Sequence, residues 1–217
     1  MNTIIQAGIL LGFSLGVKIS YHYKPADVAC EYCVNSRRRR CRIAGCPWLA
    51  ERIEAGVVSY ASAVRELFGG VSDEAFIQRL GTLVLHFRGS FWLNREHEFN
   101  TRLLLRSVGY EAWRNPRFFA VLYLFGSNRS LLKRAWNACL PDGFEPSYMV
   151  MCGVSAHDYT LIQSAKAITG CGSGLALDDL ADTEIVDDVA FRLIVNALLI
   201  ANYGADVLKL GGTEITY

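Results

Sequence analysis

The chain carries almost no excess of charge, with 22 Lys and Arg against 21 Asp and Glu and a formal net charge of +1. That balance excludes a globally basic nucleic-acid binder and an acidic-tail protein. No low-complexity linker divides it, and no repeat with a period of roughly 20 to 50 residues marks a solenoid or propeller. Nor is there an uninterrupted apolar run of the ~20 residues that a membrane span needs. The most apolar stretch, Ile4 to Ile19, is broken by Gln6, Ser14 and Lys18. It lacks the basic leader and small-residue cleavage site of a signal peptide. Gly8, Gly12 and Gly16 disfavour a free-standing helix, although their spacing also suits a small-residue membrane dimer face. We read it as a buried element packed on the domain, with a membrane anchor as the alternative.

Catalytic motifs are missing too. His97-Glu98 has no second histidine at metalloprotease spacing and reads as a structural histidine near a helix start. Gly153-Val-Ser155-Ala-His157 lacks the second glycine of a nucleophile elbow. Cys152, His157 and Asp158 are close enough in sequence to imitate a thiol catalytic group, but Ser155 and Asp158 are better explained as helix caps. Gly170-Cys-Gly172-Ser-Gly174 follows a helical pattern where a phosphate loop would follow a strand, so it reads as a turn. The chain is therefore read as a protein without enzymatic activity.

Present in abundance is apolar material, 52% of 217 residues against 20% charged, which suffices for a core and excludes whole-chain disorder. From Pro47 onward the apolar spacing is helical nearly throughout. Helices are expected near 48–56, 59–68, 72–87, 94–105, 116–125, 130–140, 155–168 and 187–203. Strand signals are confined to about 17–23 and 149–152. The helix after Asn115-Pro116 is apolar on most faces and is expected at the centre. Trp48, Trp92, Trp113 and Trp136 lie in apolar helical context and are expected in the core rather than as stacking platforms. The fold class is mainly α: a compact helical domain over 47–217, an apolar segment over 1–29 and a small four-cysteine module over 30–46, with at most a short β element.

The strongest local signal is Cys30-x2-Cys33-x7-Cys41-x4-Cys46. Two close pairs of thiols give tight knuckles that meet around a tetrahedral ion, and four thiolates leave no open position, so Zn2+ is expected as a structural metal. An iron–sulfur cluster or two disulfides are the alternatives, and His22 is a possible substitute ligand. Clustered thiols with three scattered ones, Cys139, Cys152 and Cys171, suit a reducing cytoplasm in which the lone cysteines belong to the core.

Between the pairs lie Arg37, Arg38, Arg39 and Arg40, followed by Arg42. They offset the charge of a zinc–thiolate unit and exceed what that requires, so the loop is also a candidate contact surface for an acidic protein or for phosphate. The opposite charge gathers at Asp178, Asp179, Asp182, Glu184, Asp187 and Asp188 with no base among them. These read as caps and a solvated face, with charge mimicry of nucleic acid as a minor option.

Three stretches resemble an uncharacterised family of small proteins from Firmicutes mobile elements and phages: Cys46 to Tyr60, Phe91 to Phe99 with Asn94-x-x-His97, and Asp178 to Asp182. The chain is also similar in style to zinc-containing type II anti-CRISPR inhibitors. The resemblance implies a non-enzymatic binding protein that inhibits a host RNA-guided effector nuclease by blocking DNA engagement. A nucleic-acid-binding accessory protein of conjugation or regulation is the alternative.

Overall fold

The computed structural model describes residues 23–28, 30–38, 41–172 and 175–211. The apolar stretch 4–19, the expected strand residues 17–22, His22, Arg39 and Arg40 lie outside the described residues. Helices α1 (Val34–Arg37), α2 (Leu49–Glu54), α3 (Tyr60–Leu67), α4 (Glu74–Leu85) and α5 (Arg95–Val108) come first. They are followed by α6 (Pro116–Gly126), α7 (Arg129–Ala135), a β1–β2 hairpin (Cys139–Leu140 with Gly143–Phe144), α8 (Ala156–Thr169), α9 (Leu177–Ala181) and α10 (Asp188–Tyr203). The chain is mainly α-helical, and among the described residues the hairpin is its β structure.

Helix starts are set by side chains that accept from the backbone N–H three residues on. Ser59, Asp73, Asn94, Asn115, Asn128, Ser155 and Asp187 each do so. Each such cap satisfies a donor that the helix cannot and contributes about 1 kcal/mol.

Phe118 to Gly126 of α6 are buried without exception. A helix with no polar face must be enclosed, and α5, α7, α8 and α10 pack around it. Its last carbonyls, left over by the helix pattern, find donors on α5. His97 Nε2 lies 2.8 Å from the Tyr123 carbonyl, and Asn100 Nδ2 donates to the Gly126 carbonyl at 3.2 Å. The two helices touch at Gly126, where a Cβ would stand 2.1 Å from Thr101 Oγ1.

A second buried polar cluster ties α3, α6 and α10 together. Tyr60 donates to Asn196 Oδ1 at 2.8 Å, and Asn196 Nδ2 donates to the Tyr123 hydroxyl at 3.2 Å. Tyr123 in turn donates to the Phe91 carbonyl at 2.6 Å. Burial raises both phenol pKa values above the ordinary one, so the hydroxyls stay protonated donors.

Three local expectations are corrected. The helix expected to reach Leu140 stops at Ala135, because the Pro141-Asp142 turn pairs Cys139–Leu140 with Gly143–Phe144 and Glu145 N bonds to the Ala138 carbonyl. The 149–152 segment is a loop, since the carbonyls of Val150, Cys152 and Gly153 all accept from Arg134. Helix α9 is an addition to the expected set, being too short to show periodicity in its residues. Among the described residues no helix is long and apolar enough to cross a membrane.

After α10, the 3-10 turn Ala205–Gly211 packs against α2 and buries Val207 and Leu208. The Ile43–Gly45 turn within the cysteine module contacts α10.

Candidate metal centre and contact surface

Both cysteine pairs lie at 3-10 turns. In the first, Cys30–Tyr32 forms such a turn and Cys33 N bonds back to the Cys30 carbonyl at 3.0 Å. In the second, Ile43–Gly45 turns and Cys46 N bonds to the Ile43 carbonyl at 3.1 Å. Such turns reverse the chain within a few residues, which is what lets two cysteines of one pair point to one side.

The module is fastened from below. Ile43 is part of the hydrophobic core and Cys46 packs partly against it. Glu66 of α3 accepts from Ile43 N at 2.9 Å and from Ala44 N at 3.2 Å. Ahead of the first pair, Tyr23 N donates to Glu54 of α2 at 3.3 Å.

All four expected ligands, Cys30, Cys33, Cys41 and Cys46, line one cleft of about 490 Å³, together with Tyr23, Tyr32, Trp48, Glu51 and Arg52. The four thiols are free. Burial pushes the Cys41 thiol above its ordinary pKa; Arg52 opposes this, and the neighbouring Cys46, Cys30 and Cys33 add to it. Burial works against the charge on Arg52, but its hydrogen bond to Cys46 and the charges of Cys30, Cys46 and Cys41 hold its pKa above the usual arginine value. The four sulfurs and the Arg52 guanidinium thus share one cleft. Among the described residues, no three His, Cys, Asp or Glu side chains already form a metal-holding cluster. The donor set, four soft thiols on one cleft, suits zinc or an iron–sulfur cluster better than a hard cation.

Arg52 is the residue that sequence reasoning missed. Its Nε and Nη1 are buried without a hydrogen-bond partner, an arrangement that costs about 1–3 kcal/mol per donor unless an acceptor arrives. Its place within Leu49–Glu54 gives no signal, because helical spacing says which residues face the core and not which face a thiol cleft.

Of the expected contact arginines, Arg37, Arg38 and Arg42 are exposed on the module. Beside the cleft, Tyr32 and Trp48 are 77% and 55% exposed. The core expectation for the tryptophans therefore holds for Trp92 and, in part, Trp113, and is corrected for Trp48 and for Trp136, which is 41% exposed. The lone cysteines divide likewise: Cys139 is buried with its thiol pushed up to about 12 by burial, whereas Cys152 and Cys171 are exposed rather than in the core.

Elsewhere, polar clusters resolve into structure. His157 Nδ1 lies 2.6 Å from Asp187 Oδ2, and Asp158 accepts from Asn128 at 2.9 Å, so neither is aligned on the Cys152 thiol by a hydrogen bond. The acidic run is largely employed locally. Asp179 accepts from Ala176 N, Asp182 from Glu184 N, and Asp187 caps α10. Its missing base is Arg79, from α4, which donates to the carbonyls of Leu180, Asp182 and Val186 and pairs with Asp188. Asn94-x-x-His97 is a cap followed by a core histidine.

No family model, curated protein or solved structure matches this chain.

Proposed function

We propose that this chain is a non-enzymatic binding protein whose four-cysteine module closes around a structural zinc ion and presents an arginine-rich contact surface. The observation that supports this most is the convergence of Cys30, Cys33, Cys41 and Cys46 on one cleft at the edge of that surface. Four thiolates fill a tetrahedral ion's coordination, so the metal orders the loop and takes no part in chemistry. Arg37, Arg38 and Arg42 together with Tyr32 and Trp48 have the residue types that dominate binding energy in protein interfaces.

In keeping with the family resemblance, the partner is a host RNA-guided effector nuclease, inhibited by loss of DNA engagement. Pull-down with a type II effector nuclease tests this. Wild type is retained and a variant with Arg37 to Arg40 changed to Glu is lost; equal retention of both removes the loop from the interface.

A second reading, direct binding of nucleic acid, is favoured by the exposed rings of Tyr32 and Trp48 beside the arginines, since stacking and phosphate contact act together on single strands. It predicts affinity for a labelled oligonucleotide that falls steeply with salt. An inhibitor that binds only the nuclease shows no such affinity.

A further inference from the structure

Helix α2 spans less than two turns, and its two faces serve different neighbours. Leu49 and Ile53, four residues apart, are buried in the core, while Arg52 lines the thiol cleft. The Arg52 guanidinium shares that cleft with Cys30, Cys33, Cys41 and Cys46. Its Nε and Nη1 hydrogens are buried and have no acceptor. A buried donor pair left open in this way points to an acceptor that arrives with a ligand. The cleft that Arg52 lines holds the four sulfurs beside the carboxylates of Asp27 and Glu51, and a sulfur accepts well only as a thiolate.

We propose that Arg52 is the positioning residue of the metal centre, donating from Nε and Nη1 to metal-bound thiolate sulfurs. This rests on the zinc reading above. When four Cys S–H groups bind Zn2+, four protons leave and four S–Zn bonds form, so the unit carries a charge of −2. One guanidinium against it halves that charge at a partly buried site. Its two N–H donors then orient the sulfurs, as outer hydrogen bonds do at metal centres generally. Arg37, Arg38 and Arg42 are exposed and do not line the thiol cleft.

The test uses the full-length, reduced protein, titrated with Zn2+ against a chromophoric chelator and separately with Co2+ as a spectroscopic probe. Wild type binds one ion with the intense sulfur-to-cobalt band of a four-thiolate site. Arg52→Met weakens zinc binding by about tenfold to a hundredfold and moves the cobalt band to longer wavelength, because sulfur lone pairs lose their N–H donors. Arg106→Met, which removes an exposed arginine of α5 that does not line the cleft, leaves both unchanged. Arg52→Gln keeps an N–H donor without the charge and falls between wild type and Arg52→Met; it also gives a reading where the methionine variant fails to fold. Zinc affinity within twofold of wild type and an unmoved band in both Arg52 variants overturn the role of Arg52. Equal loss in Arg106→Met does so as well, since it reduces the effect to net charge. Failure of wild type to bind either metal instead defeats the zinc reading itself.

Discussion

The Arg79 guanidinium lies 4.3 Å from the centre of the Phe191 ring and, from that seat, holds the acidic loop between α9 and α10 by its carbonyls. Two kinds of interaction meet in this one side chain. The bonds to carbonyls are made by a guanidinium almost wholly shielded from solvent, whereas its ionic partner Asp188 is 88% exposed in its side chain. Screening makes an exposed partner worth little, and the shielded donors carry the effect.

Arg79→Met is therefore expected to cost about 3 kcal/mol, since the Leu180 and Val186 carbonyls lose a charged donor. Asp188→Asn is expected to cost under about 1 kcal/mol. Arg79→Lys does not restore the loss, because a point ammonium cannot span three carbonyls. Urea unfolding of the three variants checks the ranking, and similar costs for Arg79→Met and Asp188→Asn would refute it.

His97 makes stability depend on pH. Leu93 N–H donates to Nδ1 at 3.3 Å, so Nδ1 is the acceptor and Nε2 carries the hydrogen given to the Tyr123 carbonyl. Protonating Nδ1 destroys the first bond. Burial lowers the pKa from 6.5 to about 4, partly offset by the Tyr123 carbonyl and aided by Arg192. The unfolded chain thus takes up a proton between about pH 6.5 and 4 that the folded chain refuses. Stability from this group is intact above about 6.5 and falls by about 3 kcal/mol as pH drops to about 4. Replacing His97 by Gln removes this slope while the carboxylates titrate as before. The gap in stability between wild type and His97→Gln should narrow on acidification, and a gap independent of pH would count against the assignment.

Gly126→Ala should destabilise the fold by about 1–3 kcal/mol, because the new methyl group meets the Thr101 backbone as well as its hydroxyl, at 2.1 Å to Oγ1 and 2.7 Å to N. Thr101→Ala should relieve only the side-chain part of that strain. Full rescue in the double variant would show that the backbone approach is looser than described.

Alkylation followed by intact mass counts the states of the seven cysteines. With zinc bound, iodoacetamide should modify Cys152 and Cys171, which are exposed. After chelation the four module thiols should join them. Cys139, buried and with its pKa pushed up to about 12, should react only on unfolding. Labelling of the module thiols at the same rate before and after chelation would argue against a metal there.

Much of the frame was legible in the residues. Asn94, Asn115, Ser155 and Asp187 announce their helices because a cap is a local bond, reaching three residues along the chain. The wholly apolar run from Phe118 to Phe125 announces its central place for a similar reason. Long-range pairings were not legible. Arg79 meets Val186 across 107 residues, and nothing near either position points to the other. Trp48 and Trp136 mislead because an apolar neighbourhood in sequence does not fix which side of a helix end faces solvent. At the candidate site, the spacing of Cys30, Cys33, Cys41 and Cys46 is visible, but the guanidinium that shares their cleft comes from a helix whose pattern speaks only of its core face.

Six residues make too short a helix to stand unaided. α2 owes its shape to what it leans on: the thiol module on one flank and the Ala205–Gly211 turn on the other. Early and late parts of the sequence are thereby joined like a clasp, and loosening either half deprives the other of its footing.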